Sequence, residues 1–101
     1  MRMRVRITRL AEQDLLRGYA FYDQQQEGVG SYFLDSLYAD IDSLALYGGI
    51  HLRVDARIYR TLAKRFPFFI YYDKQDDEVT VIAVLDYRQD PISITKQLEA
   101  R

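Results

Sequence analysis

The chain has 101 residues, 49% of them hydrophobic, which suffices for one domain with a single core and not for two. With no cysteine and a single histidine, His51, it has neither a disulfide framework nor a thiolate metal site, and metal binding lacks its usual ligand set. A net charge of −1 excludes a general polycation, so any nucleic-acid contact must rest on a local patch.

The start, Met1 to Ile7, is basic, but no signal-peptide core follows it and no apolar run reaches the length of a membrane span. A cytoplasmic chain without cofactors is expected. From Met3 to Arg9, Arg4 and Arg6 alternate with Val5 and Ile7, predicting a half-buried strand whose charged face suits a sheet edge. Thr8 is placed to cap a helix running to about Gln25. That helix has Leu10 or Ala11, Leu15, Gly18 or Tyr19, and Tyr22 at helical spacing, with Glu12 and Asp14 in the first turn beside the macrodipole. Gly28-Val29-Gly30 breaks the pattern. Phe33/Leu34, Leu37, Ile41 and Leu44/Ala45 then predict a second helix that stops at Gly48-Gly49. So short a connection makes the two helices an antiparallel hairpin that needs a sheet against its apolar stripe.

Ile58 to Leu62 is the best strand of the next segment, which between Arg53 and Arg65 holds five basic residues and one acidic one. Phe66 to Tyr72 and Val79 to Leu85 are aromatic or β-branched almost throughout and read as an antiparallel pair. Asp73 to Glu78, with four acids, forms the solvated connection between them. Neither run alternates strictly, which implies apolar contacts on both faces and a central place in the sheet. Pro67 belongs at the start of its strand, and Pro91 stops the pairing after Asp86-Tyr87-Arg88-Gln89-Asp90. Residues 92–101 fit a short strand or a short helix. The expected architecture is a single α+β domain over 1–101, in the order β-α-α-β-β-β, with a small antiparallel-rich sheet packed against a helical hairpin. No segment is assigned to the second sheet face, so exposed apolar surface there is expected to be buried by a partner.

No nucleophile–base constellation, glycine-rich phosphate loop or metal spacing is present. His51 reads as structural, and the acidic turn lacks the spacing of a calcium loop. The tyrosines, nine in number, read as amphipathic packing with the hydroxyl at the surface. The remaining candidates are Arg57, Arg60, Lys64, Arg65 and Arg88, which on one open face would bind phosphate or carboxylate. The alternative is that alternate strand residues simply point to solvent. A structural role for Arg88 would be an ion pair with Asp90.

KRFPFFIYY, VTVIAVLDYRQDP and the element order together resemble the RelE/ParE superfamily of toxins from bacterial type II toxin–antitoxin modules, over nearly the whole chain. The resemblance implies an antitoxin partner that wraps and neutralises the toxin, and one of two activities: ribosome-dependent mRNA cleavage, or poisoning of DNA gyrase. Arg60 and Arg88 match two cationic positions of the nuclease branch. Phe69 stands where that branch has a third-strand arginine, and Ile94 where it has a C-terminal tyrosine. Cleavage through a 2′-hydroxyl needs a base and cations for the phosphorane charge, and half of that set is replaced here. The expectation is therefore a ParE-like, non-enzymatic gyrase binder. Its rivals are an endoribonuclease acting on ribosome-bound mRNA, with Arg60, Arg88 and one of Tyr59, Tyr71 or Tyr87 in the catalytic roles, and a partner-binding module that has lost toxicity.

Overall fold

The computed structural model describes residues 2–101; Met1, part of the basic start, lies outside them. Strand β1 (Arg4–Ile7) leads into helix α1 (Arg9–Gln25), whose first turn is capped by the Thr8 hydroxyl accepting from the Ala11 N–H at 3.1 Å. Ala11, Leu15, Gly18 and the partly buried Tyr22 form its inner face, as the spacing predicts. Asp14, expected in the first turn beside the macrodipole, lies past that turn and is buried on the flank of that face. Gly28 turns the chain at φ 92°, a left-handed conformation suited to glycine, while the Asp23 carboxylate accepts from the Gly28 and Gly30 N–H groups. Helix α2 (Val29–Asp42) ends five residues earlier than expected: Ser43 interrupts it, its hydroxyl donating to the Asp40 carbonyl, and a single turn, α3 (Leu44–Tyr47), follows.

Four more strands complete the sheet: β2 (Leu52–Arg53), β3 (Ile58–Leu62), β4 (Phe68–Gln75) and β5 (Glu78–Asp86). Their order is β1-β5-β4-β3-β2, with β1 parallel to β5 and the other pairs antiparallel. The central placement of β4 and β5 accounts for their unbroken apolar character. The acidic connection is shorter than expected. Lys74 and Gln75 pair with Val79 and Glu78, because a ladder needs only backbone groups, and the turn shrinks to Asp76-Asp77 with Asp76 at φ 54°.

One residue of β5 has no partner across the ladder: Tyr72 faces Val81 and Tyr71 faces Ala83, leaving Ile82 as a bulge. The bulge switches the parity of the strand. Val79, Val81 and Val84 all pack under the helical hairpin with Ile70 and Tyr72, whereas Ile82, Ala83 and Leu85 join Ile58 and Tyr71 on the other face. That second face is not bare. Helix α4 (Pro91–Glu99), capped by Asp90 with Pro91 in its first turn, lays Ile94 and Leu98 on part of it, which corrects in part the expectation that no segment of the chain covers this face.

Parallel pairing with β1 ends at Val81, where the Thr8 N–H donates to the Val81 carbonyl at 3.0 Å. Beyond that point side chains serve the outer edge of β5. The Val84 N–H donates to Asp14 Oδ2 at 2.9 Å, and Arg101 Nη1 donates to the Ile82 carbonyl at 2.8 Å. Arg101 also grips the Asp14 carboxylate with both terminal nitrogens, at 2.8 and 2.9 Å. One buried ion pair thus joins α1, the bulged strand and Arg101, two residues past the end of α4.

His51 is structural in this fold. The fully buried Tyr72 accepts from the Gly49 N–H at 2.9 Å and, with a neutral imidazole, donates to His51 Nδ1. Burial holds the His51 pKa below its ordinary value. A histidine depressed in the folded state contributes stability that is complete above its unfolded pKa and is lost as pH falls toward the folded one. The urea midpoint should therefore decline from about pH 7.5 to about pH 5, with a slope that His51→Phe removes. Tyr72→Phe should cost about 1–2 kcal/mol at neutral pH by stranding the Gly49 N–H.

Candidate functional site

Helix α4 covers the β5 side of the second face and leaves the β4-β3-β2 side open. Between them lies a groove of about 700 Å³. Ile58, Phe69, Tyr71, Tyr87, Ile94 and Leu98 form its apolar walls, and Arg57 and Arg60 stand along it. Cross-strand partners point to one side of a sheet, so Leu52, opposite Arg60, and Leu62, opposite Phe69, extend the same surface. They are 62% and 55% exposed, which makes this an apolar face without an internal cover.

Period-two alternation along β3 places Ile58 and Arg60 on the groove side and sends Tyr59 to the helical side, where it stacks on Tyr72 with ring centroids 5.1 Å apart. Arg60 lies over the Phe69 ring at 4.2 Å, a cation–π contact. Phe69 in turn touches Tyr87 at 5.2 Å. Tyr71, directly opposite Arg60, has its hydroxyl pKa pushed up by burial, with the Arg60 charge offsetting only part of the rise. It therefore stays protonated at neutral pH and suits hydrogen bonding better than proton abstraction.

The five cations singled out in the sequence do not converge. Arg57 and Arg60 share the groove, with Arg57 Nη1 3.4 Å from Asp73 Oδ2. The Asp55 carboxylate accepts the Arg57 and Ile58 N–H groups, each at 2.8 Å, which holds its pKa down and fixes the turn into β3. Arg88 turns toward the helical side: its Nη2 lies 2.7 Å from Asp86 Oδ2 and 3.5 Å from the Tyr22 hydroxyl. Hydrogen bonding from Arg88 holds the Asp86 carboxyl below its ordinary range and raises the Arg88 pKa further. Its ion-pair partner is thus Asp86, not Asp90, which is engaged in capping α4. Lys64 and Arg65 are exposed on the β3–β4 loop. Ile94, standing where a nuclease tyrosine was sought, packs into the second-face core. Sequence reading missed the groove itself, because the α4 wall that closes it was undecided between helix and strand.

Among the described residues no group of three potential ligands stands ready for a metal, and no helix is long and apolar enough to cross a membrane. No family model matches the sequence, and no curated protein matches it either. In three dimensions the chain is similar to a chain of the solved structure "Chromosomal ParDE TA system from P. aeruginosa". The TM-score is 0.74 at 16% sequence identity, over 81% of this chain and 92% of that one. The helical hairpin on one face of the five-stranded sheet, with the short helix α4 on the other, is thus a fold this chain shares with a chain of that ParDE structure.

Proposed function

We propose that this protein is the toxin of a toxin–antitoxin pair, acting as a ParE-like binder of DNA gyrase and neutralised by an antitoxin that fills the groove beside α4. The carrying observation is the chemistry of that groove. It is largely apolar and aromatic, with Arg60 on Phe69 and two carboxylates, Asp55 and Glu99, in its lining, whose negative charge suits a mainly apolar protein segment better than a phosphodiester. The antitoxin segment would lay apolar side chains over Leu52, Leu62 and Phe69 and set a carboxylate on Arg60.

Co-expression with the product of the neighbouring gene should yield a co-purifying complex with a raised melting temperature. Arg60→Ala should weaken that complex by about 1–3 kcal/mol while changing the stability of the free chain by less than about 1 kcal/mol. Arg88→Ala, which loses only an exposed rim ion pair, should leave the urea midpoint nearly unchanged. Purified protein is then added separately to a gyrase supercoiling reaction and to a translating extract. Inhibition in the first alone supports the reading. Codon-positioned cuts in ribosome-bound mRNA with supercoiling intact would overturn it in favour of an endoribonuclease, a reading that the shared position of Tyr87 and Arg60 in one groove supports.

A further inference from the structure

The helical side of the molecule carries a second surface, distinct from the groove. Phe66, half-buried at the mouth of the hairpin, meets Tyr22, Phe33 and Tyr32 with ring centroids 4.9, 5.0 and 5.6 Å away. Tyr32 is 53% exposed. Immediately before Phe66 stand Lys64 and Arg65, both exposed and, among the described residues, without an ion-pair partner. Most other arginines are engaged: Arg4 and Arg6 with Glu78, Arg17 and Arg101 with Asp14, Arg57 with Asp73, Arg88 with Asp86.

The loop that presents this pair is held in place. The Lys64 N–H donates to Asp40 Oδ2 at 3.0 Å, and that carboxylate is buried. The Ala63 N–H donates to the Phe68 carbonyl and the Phe68 N–H to the Phe66 carbonyl, at 2.9 and 2.8 Å, across Pro67. A buried acid committed to the loop backbone leaves the two adjacent cations unpaired on a backbone already held in place, so little backbone ordering entropy remains to be lost on binding.

From this we infer that the hairpin mouth docks an acidic protein segment with one apolar anchor, its carboxylates on Lys64 and Arg65 and its anchor against Tyr32 and Phe66. Charge complementarity selects the acids, and the exposed ring beside them selects the anchor. Single-stranded nucleic acid fits less well. Phe66 meets Tyr22 and Phe33 edge-on, at 62° and 82°, so the cluster closes ring faces that bases would need, and two free cations neutralise few phosphates. The inference goes beyond the toxin reading and stands without it.

The test uses the intact protein, isotopically labelled, and three probes: a short synthetic peptide with glutamates and aspartates around one leucine, its glutamine and asparagine counterpart, and an oligothymidine. The acidic peptide should bind saturably and shift the amide signals of Lys64, Arg65, Phe66 and Tyr32. Binding should fall at least about tenfold in Arg65→Glu and in Lys64→Glu, both exposed substitutions expected to keep the wild-type melting temperature. Absence of binding, equal binding of the neutral peptide, tighter binding of the oligothymidine, or shifts centred on Arg60 would each overturn the assignment.

Discussion

Asp14→Ala should cost about 3–5 kcal/mol, a large share of the roughly 5–15 kcal/mol that holds a domain of this kind together. The carboxylate is almost wholly buried and accepts from Arg101 twice, from Arg17 and from the Val84 N–H. Removing it strands a guanidinium whose side chain is 8% exposed and leaves a strand N–H without an acceptor next to the Ile82 bulge. Both penalties are those of buried, uncompensated groups, and they exceed the net worth of the pair itself. Arg101→Met should cost less, because Asp14 keeps Arg17 and Val84 and the methionine stem can follow the arginine's path. The double variant Asp14→Ala/Arg101→Met should be more stable than the sum of the singles by about 1–3 kcal/mol. Urea midpoints of the four proteins decide this, and a loss below about 1 kcal/mol for Asp14→Ala would show that water, not protein, satisfies that edge.

The residues that made the fold legible are those whose local chemistry and tertiary role agree. Thr8 caps α1, Ile58 to Leu62 form β3 with the predicted ends, and the missing alternation of the two long strands reflects cores on both faces. The buried role of Asp14 went unread because an acid near a helix start already has a local reason in the macrodipole, and its partner Arg101 lies 87 positions along the chain. The Ile82 bulge left no trace for a related reason. In a run of apolar residues every register is equally hydrophobic, so parity can change without a polar residue marking it. The candidate site was legible by residue type and not by arrangement: Arg60 follows strand parity into the groove, whereas Arg88 lies beyond the end of β5 and is drawn to Asp86.

Phe33→Ala is expected to cost about 3–5 kcal/mol, and the reason it does so also predicts how Gly18 responds. The Phe33 ring is fully buried, with the rings of Tyr22, Phe66 and Phe68 at 5.3, 5.0 and 5.0 Å. It lies against the backbone of Gly18, where a Cβ would stand 2.4 Å from Phe33 Cζ and 2.5 Å from Cε2. Because three rings hem it in, Phe33 cannot retreat, so Gly18→Ala should lose about 1–3 kcal/mol to overpacking. That loss outweighs the gain of about 1 kcal/mol that alanine offers over glycine in a helix interior. A smaller side chain at position 33 changes the sign. In a Phe33→Leu background the added methyl enters space the ring has vacated, so Gly18→Ala should become neutral or stabilising, with a coupling of about 1–3 kcal/mol between the two sites. Thermal and urea unfolding of the wild type, both singles and the double close the cycle. Additivity within about 0.5 kcal/mol would mean that the helices of the hairpin shift apart to admit the methyl, and that glycine at position 18 does not set how closely α1 and α2 approach.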